Sequence, residues 1–178
     1  MASNSISISN VQAKANRIAA STTLHEQGGK SANYMQCYDE RIEQDEDLVA
    51  ACDKRGNGTV PVLIFAREDG LTRRTKAQIL FTPELIEPFL VDLDDAFHDI
   101  LSTPTGDPDA PAVSRALKTF ANGDLGDVHM ATLTNGLHRG LLLVQEQGDE
   151  LSLPFSHIRH LALGLKAAHQ AFVMNANS

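Results

Sequence analysis

The chain has 178 residues, 42% of them hydrophobic, with two cysteines and a formal net charge of −8 at pH 7. That length and apolar content allow one substantial core without staples, and Cys37 and Cys52 lack the CxxC spacing of a zinc or redox motif. The negative charge disfavours clinging of the whole surface to nucleic acid or anionic lipid, so a polyanion would need a local basic strip.

In chain order, "MASNSISISN" carries neither a basic n-region nor a long apolar h-region, and no apolar run approaches the roughly 18 residues of a membrane span. A cytoplasmic protein with no membrane contact is expected. Residues 1–32, rich in Ser, Asn, Ala and Gln, predict a mobile arm in which only "VQAKANRIAA" has helical character. The acidic "DERIEQDEDLV" reads as a solvated helix face or as a charged lead-in to the first strand. Three strands joined by hairpins follow in "DLVAACDKRGNG", "TVPVLIFAREDG" and "LTRRTKAQILF". A helix then starts with Thr82 as N-cap, Pro83 at the first helical position and Glu84 in the first turn. Its apolar face comprises Leu85, Ile86, Phe89, Leu93, Ala96, Phe97 and Ile100.

The Pro/Asp/Gly stretch over 103–113 predicts a linker. Beyond it "AVSRALKTFANGD" predicts a short helix stopped at Asn122-Gly123. Strand, hairpin, strand and helix then return in "DVHMATLTNG", "LHRGLLLVQEQG" and "DELSLPFSHIRHLALGLKAAHQAF". At a constant offset of 72 residues, Ile79 falls on Leu151, Phe81 on Leu153, Ile86 on Ile158, Phe89 on Leu161, Leu93 on Leu165, Ala96 on Ala168 and Ile100 on Phe172. Apolar type is kept throughout, which points to an internal repeat. The expected fold is therefore α+β, with two antiparallel β-β-β-α units, 33–102 and 114–178, packed through their helices. One compact body or a symmetric homodimer would satisfy it.

"KAQILFTPELIEPFL" and "DELSLPFSHIRHLAL", each a last strand running straight into a helix, resemble the transcriptional coactivator PC4 and Whirly type of single-stranded DNA-binding fold. The resemblance covers about Asp47 to Phe172. It implies curved antiparallel sheets packed on helices, with strands that display basic and aromatic side chains to nucleic acid.

Strand alternation in "LTRRTKAQILF" puts Leu71, Arg73, Thr75, Ala77, Ile79 and Phe81 on one face, and Thr72, Arg74, Lys76, Gln78 and Leu80 on the other. The second face is expected to be polar and basic. Arg67, Arg73, Arg74 and Lys76, with Lys54 and Arg55 at the preceding turn, are the candidate phosphate contacts; the plainer alternative is that they keep a strand edge soluble. Stacking platforms are scarce, since aromatic residues make up 5%, tryptophan is absent, and Tyr34 and Tyr38 are expected outside the strands. That scarcity supports a second reading, a protein-binding adaptor, chaperone or inhibitor that acts through an acidic surface and the N-terminal arm.

His157 and His160 lie three apart, on neighbouring helix positions that a metal would use only if a carboxylate or another His joined them. His129, His138 and His169 sit elsewhere in the same half. There is no HExxH, no phosphate-binding loop between strand and helix, no GxSxG elbow and no Cys-His pairing of known spacing. No catalytic activity, metal or cofactor is expected.

Overall fold

The structure, a computed structural model, describes residues 34–53, 61–104 and 106–177. The expected N-terminal arm, Lys54 and Arg55 lie outside the described residues. The elements run β1 (Tyr34–Glu43), β2 (Glu46–Asp53), β3 (Leu63–Asp69), β4 (Thr75–Phe81), α1 (Pro83–Ser102), β5 (Val113–Phe120), β6 (Val128–Asn135), β7 (His138–Gln145), β8 (Glu150–Pro154) and α2 (Ile158–Ala176). Two four-stranded antiparallel sheets result, ordered β1-β2-β3-β4 and β5-β6-β7-β8. Each sheet thus has one strand more than the sequence reading predicts.

Both extra strands correct an expectation. The "SRALKTF" segment is not a helix but the body of edge strand β5, which pairs with β6 from Val113↔Thr134 to Phe120↔Val128. Only Phe120 of its eight residues is buried. Val113, placed in the linker by the sequence reading, already belongs to that strand. The acidic segment is not a helix face: it forms the second half of β1, the turn and the start of β2, with Glu43 paired to Glu46. Tyr34 and Tyr38 accordingly lie inside a strand.

The central strands follow from their composition. In β2 the run Asp47–Cys52 is buried throughout, and as a central strand it has a neighbour on each side. Residues 70–74 form a turn rather than strand. Asp69 holds it, its carboxylate accepting from the backbone N–H groups of Leu71 (3.0 Å) and Thr72 (2.7 Å), while Arg73 takes the left-handed conformation at φ 57°.

Helix α1 begins where Pro83 sets its first turn, and it buries Leu85, Ile86, Phe89, Leu93, Ala96 and Ile100. Pro88 removes one backbone donor inside this helix but lies on its exposed side. Phe89 packs between Phe81 at 5.0 Å and Phe120 at 5.1 Å, ring centre to ring centre. It thereby joins the end of the first sheet to the start of the second, with an edge-on contact to Phe81 and a tilted one to Phe120 that add to simple burial.

Helix α2 crosses to the other half and lies over β1, β2 and β3, while α1 touches β5, β7 and α2. Gly164 permits the crossing, because a Cβ there would stand 3.0 Å from the Phe65 ring and 3.1 Å from the Ala50 Cβ. One continuous apolar cluster takes residues from both sheets and both helices. The halves also meet at β4 and β8, where side chains replace a strand ladder. The Leu80 N–H donates to Gln145 Oε1 (3.0 Å), and the Leu80 carbonyl accepts from Gln145 Nε2 (3.0 Å) and Asn122 Nδ2 (2.9 Å). The Gln78 N–H donates to the Asp149 carboxylate (3.0 Å). The free edge of β4 is thus satisfied without a fifth strand.

Candidate functional site

Carboxylates engage three of the four expected phosphate contacts that lie among the described residues. Arg67 and Lys76 both reach Glu46, at 3.4 Å and 2.9 Å, and Arg67 also donates to the Ser152 carbonyl on β8. Arg73 bridges Asp39 (2.8 Å), Asp47 (2.6 Å) and Glu68 (3.3 Å). Asp47 and Glu68 are buried, and Asp47 takes Arg41 as well. The hydrogen bond to Asp39 raises the Arg73 pKa, and the one to Glu46 raises that of Lys76, so both stay charged within their ion pairs. Arg74 is exposed and makes no ion pair among the described residues.

The second face of β4 is not the basic strip that alternation predicts. Gln78 and Leu80 are buried there, and Leu80 packs with Val62, Ile64 and Ala66 on the outer side of the first sheet. Two features cause the departure. The register shifts opposite Arg67/Glu68, which breaks the alternation at Lys76, and the second half covers the β4 edge.

The two helical histidines do come together, though not as a metal site. His157 closes the short turn before α2, and its ring centre lies 5.9 Å from that of His160. The third partner is a phenol: Tyr38 Oη and His160 Nδ1 are 2.5 Å apart, which ties β1 to α2. Burial, and then the nearby charge of His160, pull the His157 pKa down. Burial, and then the Glu40 carboxylate, push that of Tyr38 up. Among the described residues no three His, Cys, Asp or Glu side chains are grouped to hold a metal ion.

A feature the sequence reading missed lies between the helices. Leu90, Leu93 and Phe97 of α1 and Ile158 and Ala162 of α2 line an open groove of about 360 Å³, with Asp94 on one rim and Arg159 and Lys166 on the other. Phe97 in its wall stacks on Phe155, ring centres 4.7 Å apart. The two rim cations are unusual in this molecule. Arg41, Arg67, Arg73, Lys76, Arg115 and Lys118 all form ion pairs, and Arg139 donates to the carbonyls of Leu101 and Thr103. Arg159 and Lys166, like Arg74, form none among the described residues. The spacing 159, 162, 166 along one helix face is the sequence signal that marks this wall.

No helix among the described residues is long and apolar enough to cross a membrane. In comparisons with known proteins, no family model and no curated protein matches this chain.

Proposed function

We propose that this is a non-catalytic binding protein whose partner is a polypeptide, held as an acidic amphipathic segment in the groove between α1 and α2. The disposition of cations carries the reading. Among the described residues, three of the four cations expected to face nucleic acid are engaged by the protein's own carboxylates, whereas Arg159 and Lys166 form no ion pair and flank an apolar floor. A floor of Leu90, Leu93, Phe97 and Ala162 suits the apolar face of a helix, and two cations along one rim suit Glu or Asp on its flank. Asp94 on the opposite rim would fix the segment's orientation by repelling its acidic flank.

Single-stranded nucleic-acid binding through Arg74 and Lys76 is the second reading. It is supported by the two antiparallel sheets, each followed in the chain by a helix, and by the resemblance of those strand-to-helix segments to the PC4 and Whirly type. Fluorescence polarisation against a labelled Leu/Glu amphipathic peptide and labelled single- and double-stranded oligonucleotides, at low and moderate salt, separates the two. Binding of the peptide, lost in Arg159→Glu/Lys166→Glu and kept in Arg74→Glu/Lys76→Glu, is expected. Salt-dependent preference for single strands, with the opposite response to the two double variants, would overturn it in favour of nucleic acid.

A further inference from the structure

The two cysteines that showed no motif spacing meet in space. In the β1–β2 ladder Met35 is opposite Cys52 and Gln36 opposite Ala51, but the next registered pair is Tyr38 with Ala50. Cys37 is therefore the extra residue of a β-bulge. In a regular ladder it would face Ala50 and lie only diagonally from Cys52, at a Cα separation of about 7 to 8 Å that strains a disulfide. The bulge re-aims its side chain, and the Cys37 and Cys52 sulfurs lie 3.6 Å apart. The two thiols are unequal, Cys52 being fully buried and Cys37 half-buried.

We propose that Cys37 and Cys52 form a two-thiol oxidation site for small hydroperoxides, with Cys37 as the attacking sulfur and Cys52 as the resolving one. Hydrogen bonding from Cys52 lowers the Cys37 pKa, which raises its thiolate fraction, and the thiolate is the nucleophile. It attacks the terminal peroxide oxygen, the O–O bond breaks, Cys37 becomes a sulfenic acid, and the released hydroxide or alkoxide takes a proton. Cys52 then displaces that oxygen, forming the S–S bond and expelling hydroxide, which takes the Cys52 proton and leaves as water. The balance is two thiols and one hydroperoxide giving one disulfide, one water and one alcohol, or two waters for hydrogen peroxide.

The product bond would bring the sulfurs from 3.6 Å to about 2.05 Å, drawing the bulge toward β2. Tyr38, the next residue, holds His160 of α2, so the oxidation state is communicated to the helix that carries the groove. The chemistry itself does not depend on what the groove binds.

The test treats the full chain with hydrogen peroxide, with and without dimedone, and reads intact mass and alkylatable thiols. The wild type should lose two hydrogens and both thiols while remaining monomeric by non-reducing electrophoresis. Cys52→Ala should stop at a dimedone-trapped sulfenic acid on Cys37, and Cys37→Ala should keep its remaining thiol as long as the protein is folded. Two intact thiols in the peroxide-treated wild type, over-oxidation without a disulfide, or a disulfide between chains would overturn the proposal. Because the wild-type outcome decides alone, a variant that fails to fold does not rescue it.

Discussion

Asn122→Ala tests how the two halves are held together. Asn122 is 1% exposed and its side chain makes three hydrogen bonds, two of them buried and the one from Thr82 half-buried. It donates to the carbonyls of Leu80 (2.9 Å) and Gly126 (3.1 Å) and accepts from the Thr82 N–H (2.9 Å) that leads into α1. After truncation the Leu80 carbonyl keeps Gln145, but the Thr82 N–H and the Gly126 carbonyl lose the partner that Asn122 supplied. A buried polar group left unpaired costs about 1 to 3 kcal/mol, so the loss should be about 3 kcal/mol. With a urea dependence of about 2 kcal/mol per molar, the unfolding midpoint falls by about 1.5 M, and Tm by about 6 to 12 °C. Circular dichroism during urea titration reads the shift, with exposed Asp124→Ala as the control that should not move. A midpoint change below about 0.5 M at unchanged slope would refute the claim that the seam rests on Asn122. A markedly lower slope would instead show the halves unfolding separately.

At Gly140 an added Cβ would stand 2.2 Å from the backbone carbonyl oxygen of Leu153, so Gly140→Ala must part β7 from β8; a loss of about 2 kcal/mol is expected by urea unfolding, and an unchanged midpoint would contradict the close approach. Arg73→Ala should destabilise by about 2 kcal/mol, since it removes a partner from buried Asp47 and Glu68, while Arg74→Ala should leave Tm nearly unchanged; equal effects would mean that Arg73 is a surface cation like its neighbour. His157 titrates lower in the folded protein than in the unfolded chain. Its contribution to stability is complete above the unfolded value of about 6.5 and is lost as pH falls from there through the folded one. His157→Asn should therefore flatten the decline in stability between about pH 7 and 5, and a decline unchanged by the substitution would assign it to other groups.

Strands and helices with an uninterrupted apolar period were legible in the sequence. All six offset pairs from Ile79/Leu151 to Ala96/Ala168 are buried in the common core, because β4, β8 and the helices after them each present one regular face. The two edge strands were not legible, for two different reasons. In β1 the bulges at Gln36/Tyr38 and Arg41/Glu43 break the alternation, so Met35, Cys37, Tyr38 and Ile42 all pack against the core from positions that look aperiodic. In β5 almost nothing is buried, and Val113, Ala116, Leu117 and Phe120 happen to recur at helical intervals. Its strand identity comes from the ladder that β6 offers, a tertiary effect that local propensity does not contain. The cation pairings were equally hidden, since Arg73 finds Asp39 across 34 positions of sequence and Asp47 across 26.

The same offset explains why the groove has two unlike walls. Where α2 carries Arg159 and Lys166, α1 carries Glu87 and Asp94 at the corresponding positions, so apolar type is kept between the helices while charge is inverted. Two other acids of α1 have separate work: Asp92 and Asp99 hold Lys118 and Arg115 on β5, which anchors α1 to the second sheet. Asp94 alone among the α1 acids lines the groove. Helix α2, lying on the first sheet, spends neither of its rim cations on an ion pair among the described residues. Two helices drawn from opposite halves and anchored on opposite sheets therefore leave between them an apolar channel with a surplus of positive charge along one side, on a molecule whose net charge is −8. On the proposed reading, general repulsion from the acidic surface would keep indiscriminate polyanions away, while a segment that can bury apolar side chains and place its carboxylates on the α2 side would gain both terms at once. Selectivity of this kind follows from position rather than total charge.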